Sequence, residues 1–486
     1  MIGREHGAEL LADPSRVVAR LFLPGEGTAD SHSRAAEIVE RVLNIPETEI
    51  DELAAQLMAD FAPRDGDTRR LFASHAEAVR SRVQRPATVT PAQEIVLGAS
   101  FTAEYAVEGA ALCNPSVVDH PDQTGLEDGQ RRVAVALRAI GEGHISSIAF
   151  ASAIVGPGER WEFEERVGPL VSPVVGEGEW ERARFRNMLE HEHHLNELSS
   201  AVLRALPETF TASGLEQAVA TVPQQLRLHR DSAADMENLR RVAASAYSSH
   251  FDESSALSQR ILLPVAAEED HGMEDARFVC WTGLDGSTEY RATYTAYDGR
   301  SIAPRLITTP DLETFQVHRL SGSAARNKGM ALFPRPIGGE HFALSRTDGQ
   351  NISMARSSDG YDWSDAGVVH SPQEPWEMVQ TGNCGSPIET DRGWLALIHG
   401  VGPMRTYSMG ALLLDLDDPT RVLARSETPF LVPSGERRNG YVPNVVYSCG
   451  GILHDGTVWI PVGVGDCRIG VYSVGLTELL DSLIPA

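Results

Sequence analysis

From residue 258 onward the sequence repeats one design: an apolar strand that ends in a polar or small residue, a short turn, and a second strand leading outward. The strand ends read Tyr294-Thr295-Ala296-Tyr297-Asp298, Phe342-Ala343-Leu344-Ser345-Arg346, Leu395-Ala396-Leu397-Ile398-His399 and Ile460-Pro461-Val462-Gly463-Val464-Gly465-Asp466. Tyr297, Arg346, His399 and Asp466 are separated by 49, 53 and 67 residues, the period of small antiparallel sheets arranged in series. An earlier hairpin, Arg132 to Arg138 joined through Gly141-Glu142-Gly143-His144 to Ile145–Ala151, fits the same template and gives a fifth unit. The pattern predicts a mainly β chain folded as a five-bladed β-propeller. Innermost strands of such a fold line one channel, so Arg138, Arg346, His399 and Asp466 are expected to meet there; an open sandwich would leave them with no common destination.

Two stretches break the β pattern. Between about residues 30 and 85 apolar side chains recur at helical spacing, as in Val39, Val42, Leu53, Leu57, Phe61, Phe72, Ala76 and Val79, with punctuation at Asn44-Ile45-Pro46 and Ala62-Pro63-Arg64-Asp65-Gly66. From about 180 to 246 the spacing returns in Phe185, Met188, Leu189, Leu195, Leu198, Val202 and Leu203. The expected layout is an N-terminal helical region over 1–93, a first blade over 94–179, a helical insertion over 180–257 and the remaining blades over 258–486. The helical parts carry no evident chemistry and suit packing or formation of a homo-oligomer. Within the insertion, Glu190-His191-Glu192-His193-His194 has two histidines three apart, but zinc-protease spacing needs a His where Leu195 stands. It reads as a solvated polar helix face, with a metal site as the alternative.

Charge narrows the function. Lys and Arg number 42 against 68 Asp and Glu, a net charge of -26, which repels nucleic acid and anionic membrane. Any anionic substrate must therefore be held by a local cluster of cations. Five cysteines, Cys113, Cys280, Cys384, Cys449 and Cys467, are scattered through mostly apolar runs and read as buried, reduced thiols rather than a disulfide framework. Acids in the opening residues, and no apolar run long enough to span a membrane, make the expected location cytoplasmic.

Glu274, Asp275 and Arg277 stand together before the apolar run Phe278-Val279-Cys280-Trp281. A neighbouring carboxylate raises an acid's pKa and an Arg lowers it, so the trio can tune a proton donor; equally, Asp-x-Arg can be a strand-end ion pair. With Lys328, Arg346, His399 and Asp466, the expected channel holds one clear acid and several anion-binding groups. An inverting hydrolase needs an acid and a base with water between them. Phosphorolysis needs only the acid, because phosphate is already a nucleophile, so one acid plus a cationic cluster favours phosphate as co-substrate and requires no other cofactor.

The motifs Asn114-Pro115-Ser116, Gly272-Met273-Glu274-Asp275-Ala276-Arg277-Phe278, Thr293-Tyr294-Thr295-Ala296-Tyr297-Asp298-Gly299 and Lys328 followed by Leu332-Phe333-Pro334 extend this reading. So do Gly393-Trp394-Leu395 with His399-Gly400-Val401, Gly410-Ala411-Leu412-Leu413-Leu414-Asp415, and Tyr441-Val442-Pro443-Asn444-Val445-Val446-Tyr447. Over about 94–157 and 258–480 the chain resembles glycoside hydrolase family 130, propeller enzymes that are β-mannoside phosphorylases and β-mannosidases. The resemblance implies Asp275 as catalytic acid, acting in part through a sugar hydroxyl. It implies Lys328, Arg346 and His399 as phosphate ligands, and Asn114, Arg138, His144, Glu274, Arg277, Tyr407 and Asp466 as residues contacting sugar. Arg277 and Asn114 retain the alternative of a strand-end contact, and Tyr294 and Trp394 read as core. The chain departs from the family pattern at Glu436-Arg437-Arg438-Asn439, where an acid is expected before Gly440, and at Ser248-Ser249-His250-Phe251-Asp252.

The expected activity is inverting phosphorolysis of a β-mannoside oligosaccharide to mannose 1-phosphate. Its rivals are an inverting β-mannosidase with Glu142, Glu274, Glu436 or Asp466 as base, and a non-catalytic sugar-binding propeller.

Overall fold

The computed structural model describes residues 2–24, 31–61, 68–82, 89–227 and 232–486. The Ala62–Gly66 punctuation lies outside the described residues. The chain divides into two compact units: one comprises residues up to Ala12, Ala110–Arg166 and Ser172–Ala486, the other Asp13–Gly109 and Val167–Val171.

The smaller unit is the helical one. Helices Ser31–Leu43, Glu47–Phe61, Thr68–Arg82 and Pro91–Ser100 bury Val39, Val42, Ile50, Phe72, Ala76, Val79 and Leu97 in a common core, while Leu53 and Phe61 stay partly exposed. Pro91–Ser100 starts at a capping box, with Thr90 Oγ1 accepting from Gln93 N, which satisfies an amide that the first helical turn leaves free. The helical region thus extends beyond residue 93. After it, Thr102–Ala106 pairs with Val17–Leu21.

In the larger unit, residues Arg4–Leu11, expected within the helical region, form a strand antiparallel to Arg468–Gly475. Pairing across the whole length of a chain has no local signal, which is why helical spacing downstream hid it. The strands Ala111–Asp119, Arg131–Ile140, Ser146–Gly156 and Arg160–Phe163 make an antiparallel group. Gly272–Thr282, Thr288–Tyr297, Ile302–Thr309 and Thr314–Arg319 make the next, and a single parallel pair, Gly272 with Ser146, joins the two. That junction explains the glycine opening the acidic motif: at φ 142° a Cβ on Gly272 would lie 2.8 Å from Ser146 N. Three further groups run over 331–370, 380–425 and 446–475.

The helical insertion has its own core of Trp180, Phe185, Met188, Leu189, Leu198, Val202 and Leu203. Its Glu192 is not on a solvated face. It pairs with Arg241 at 2.6 Å and with Arg319, while Glu268 takes Arg241 at 2.9 Å and Arg305 at 3.1 Å. These ion pairs tie the helices to the strands carrying Arg305 and Arg319. Tyr294 and Trp394 are buried core residues, and no helix among the described residues is long and apolar enough to cross a membrane.

Candidate active site

Two bulges aim the central pair of side chains. Pairing of Ala111–Asp119 with its neighbour slips between Cys113 and Ser116, and pairing of Gly272–Thr282 slips between Glu274 and Arg277. Asn114 and Asp275, inside those slips, take left-handed backbone with φ of 49° and 57°. A bulge re-aims one side chain out of the alternating pattern, and here two bulges turn Asn114 Nδ2 toward Asp275 Oδ1, 2.5 Å away.

Cations surround the acids. Arg138 donates through Nε to Ser146 Oγ at 2.9 Å, through NH1 to Asp275 Oδ1 at 3.1 Å and through NH2 to Glu274 Oε1 at 2.6 Å. Lys328 Nζ holds the other Glu274 oxygen at 2.8 Å. Beneath them Arg277, 1% exposed, donates to the Asp275 carbonyl at 2.7 Å, the Cys384 carbonyl at 3.0 Å and Tyr447 Oη at 2.7 Å. Burial pushes the Asp275 carboxyl upward, but the charges of Arg138, Arg277 and Lys328, with the Asn114 hydrogen bond, outweigh it and hold Asp275 well below the usual carboxylate range.

Asp275 opens onto a cavity of about 430 Å³ lined also by Asn114, Lys328, Arg346, His399, Arg405, Tyr407, Tyr447 and Asp466. Of the four side chains the repeat assigns to one channel, Arg346, His399 and Asp466 line this cavity, and Arg138 stands behind it against Asp275. Asp298 does not join them: its Oδ1 accepts from Arg300 N and Ser301 N in a turn, and the second group contributes Asp275 from its preceding strand instead. His144 is exposed, its Nδ1 3.2 Å from Tyr441 Oη. Arg138, Glu274 and Arg277 back the cavity rather than line it.

One wall is poor in partners. Arg346 NH2 donates to the Gly349 carbonyl at 2.9 Å, but Arg346 Nε, His399 Nδ1 and Asn114 Oδ1 are buried with no hydrogen-bond partner among the described residues. Burial of polar atoms without partners is unfavourable by a few kcal/mol, so these atoms mark where a polar ligand belongs. Burial drives His399 well below its ordinary pKa, and the charges of Arg346 and Arg277 add to this, so its imidazole is neutral at neutral pH. Tyr407 stacks on His399 with centroids 5.9 Å apart and Tyr447 meets it edge-on at 4.8 Å. Gly382 makes room for this wall: a Cβ there would lie 2.5 Å from His399 Cε1 and 2.7 Å from Arg346 Nε.

Asp466, in the turn after Thr457–Val464, is pushed up to about 6 by burial and by the Asp275 charge, against the pull of Arg138. Glu142 and Glu436 are exposed in short turns and do not line the cavity. Sequence reasoning missed Asn327, Gln380, Arg405 and Tyr447 as lining residues. Tyr447 closes the quoted Tyr441–Tyr447 motif and could have been found there, whereas Arg405 lies in a turn with no periodic signal. Asn114, Asp275, Asn327, Arg405 and Asp466 are all left-handed, a conformation unfavourable by about 1–2 kcal/mol for residues other than glycine and least so for Asn and Asp.

A mostly β unit whose strand ends gather a paired acid and a cationic wall around one cavity has the groups to protonate a leaving oxygen beside a bound anion. The family profile described as beta-1,4-mannooligosaccharide phosphorylase matches residues 225–484. A 1,2-beta-oligomannan phosphorylase of Thermoanaerobacter sp. (strain X514) is 33% identical over 228 residues, 46% of this chain and 75% of that protein. A beta-1,2-mannobiose phosphorylase of Listeria innocua is 33% identical over 252 residues, 50% of this chain and 68% of that one. Among solved structures, the beta-1,2-mannobiose phosphorylase from Listeria innocua in complex with beta-1,2-mannobiose is 22% identical, covers 78% of this chain and 93% of its own, and has a TM-score of 0.45. The chain belongs to glycoside hydrolase family 130.

Proposed function

We propose that the chain is a glycoside phosphorylase that cleaves β-mannosides with inversion, taking inorganic phosphate as nucleophile and releasing α-mannose 1-phosphate. The observation that carries this is the cavity shared with Asp275, where Arg346 Nε and His399 Nδ1 have no hydrogen-bond partner among the described residues. Phosphate on that wall attacks the anomeric carbon, the glycosidic C–O bond breaks, and the proton of Asp275 passes to the leaving oxygen, directly or through a sugar hydroxyl. Held low by Arg138, Arg277 and Lys328, Asp275 is ionised at neutral pH. An anion bound at Arg346 and His399 adds a like charge that raises its pKa, so phosphate binding itself prepares the acid.

A hydrolase would need a second carboxylate as base. Glu274 is held by Arg138 and Lys328, and Glu142 and Glu436 are exposed in short turns off the cavity. Asp466 faces the cavity and, raised to about 6, is still mostly ionised at neutral pH, so it is the one carboxylate on which a hydrolase reading would rest. We assign sugar binding to Asn114, Asp466 and Tyr407 and phosphate binding to Arg346 and His399, while Lys328, expected as a phosphate ligand, spends its charge on Glu274. Arg277, with its donors taken by the protein, positions Asp275 instead. We take the antiparallel groups, the last of them completed by Arg4–Leu11, as the blades of a five-bladed propeller.

The names of the relatives make β-1,2-mannobiose the first substrate to offer. Mannose 1-phosphate should form in step with mannose only when phosphate is present; release of free mannose alone, at a rate indifferent to phosphate, would sink the phosphorylase reading in favour of a β-mannosidase. Binding of mannosides with no turnover under either condition would leave a sugar-binding protein.

A further inference from the structure

The cavity wall carries a cation that the reading above leaves without a task. Strands Gly393–Val401 and Tyr407–Leu414 carry His399 and Tyr407 into the cavity, and the turn joining them carries Arg405. The turn is closed by Gly402 N donating to the Thr406 carbonyl at 3.0 Å and Thr406 N to the Pro403 carbonyl at 3.3 Å. Inside it, Met404 and Arg405 are consecutive left-handed residues with φ of 58° and 52°. Unlike the Asn and Asp residues of the cavity, neither has a short polar side chain suited to that conformation. Met404 is 85% exposed, so packing of its side chain does not account for the strain. Strain of this kind collects where backbone presents a functional side chain, and the one presented here is Arg405.

We infer that Arg405 is a phosphate-binding residue, the second cation that balances the nucleophile's charge; the inference rests on the phosphorolysis proposed above. Phosphate at neutral pH carries between one and two negative charges. Lys328 is committed to Glu274 and Arg138 to Glu274 and Asp275. Arg277 is buried beneath the floor with its donors on protein oxygens. His399 is neutral. Among the cations lining the cavity, Arg346 and Arg405 have no carboxylate partner among the described residues. One guanidinium leaves a phosphate dianion half-balanced; two balance it, and both present planar donors that match phosphate oxygens. A neutral acceptor sugar calls for no such charge. Gln380, another lining residue, pairs with Val401 at the foot of the turn, and Gly382 on the same strand pairs with His399, so Arg405 stands at the end of the sheet that carries His399.

The test uses the full chain with β-1,2-mannobiose and inorganic phosphate, after wild-type turnover has been shown to require phosphate; absence of that requirement defeats the phosphorylase reading itself. In Arg405→Gln the KM for phosphate should rise about tenfold or more, with the KM for mannobiose within twofold of wild type, and Arg405→Lys should lie between. As a check independent of turnover, phosphate should raise the unfolding temperature of wild type and do so much less in Arg405→Gln. A phosphate KM within twofold of wild type in both variants, or a rise confined to the mannobiose KM, overturns the proposal.

Discussion

The floor and the wall of the cavity handle charge in opposite ways. On the floor every formal charge is answered: Arg138 spans Glu274 and Asp275, Lys328 completes Glu274, and Arg277 holds the Asp275 carbonyl from below. On the wall Arg346 and Arg405 have no carboxylate among the described residues, and His399, which could share charge, is neutral. A balanced buried network fixes geometry because removing any member strands its partners. An unbalanced one is unfavourable until an anion arrives, and that deficit becomes binding energy. The floor therefore sets where the acid points, and the wall sets what can approach it. In a protein of net charge -26, cations without carboxylate partners stand out as a place for an anion.

If that division holds, the largest effect belongs to the acid. Asp275→Asn should lower kcat for phosphorolysis by about 10²–10⁴, measured at saturating mannobiose and phosphate, while phosphate still raises the unfolding temperature because the wall is intact. Next comes the support beneath it. Arg277→Met strands buried oxygens and should cost about 3–5 kcal/mol of stability, read from the urea midpoint; a change below about 1 kcal/mol with a raised mannobiose KM would instead make Arg277 a sugar ligand.

The wall is tested by a single methyl. Gly382 is not left-handed, so alanine there meets only the steric contact with Arg346 and His399. Gly382→Ala should raise the phosphate KM about tenfold and leave the mannobiose KM nearly unchanged; equal effects on both would erase the distinction between wall and floor.

The smallest effect concerns Asp466. Its folded pKa of about 6 lies above the ordinary carboxylate value, so between about pH 4 and pH 6 the folded chain binds more protons than the unfolded one and loses stability as pH rises, by at most about 3 kcal/mol. Asp466→Asn should flatten that slope in pH-dependent denaturation, and a slope that persists unchanged assigns the titration to another group.

Much of this was legible before folding. The strand-end repeat put Arg346, His399 and Asp466 in register, and the acidic motif picked out Asp275. A turn aspartate such as Asp298 and a cavity aspartate such as Asp466 look alike in sequence; only the chain's path shows which amides the side chain caps. The His-rich Glu190–His194 segment misled for a related reason. A charged run on a helix looks solvated, yet Glu192 meets Arg319, more than a hundred residues away, and is drawn into an ion-pair network. Sequence leaves Arg277 between ligand and support; its bonds to the Cys384 and Asp275 carbonyls and to Tyr447 Oη, two of them to distant segments, are what support the second reading.

What the sequence by itself determined was periodic and local: apolar alternation for strands, helical spacing for the insertion and the smaller unit, and the residue types that chemistry needs. Tertiary structure alone decided which charges are answered. Ion pairing depends on distances of a few ångströms between segments far apart in the chain, such as Arg138 and Asp275. Two bulges and a strained turn, none with a periodic signature, set which side chains come within that range.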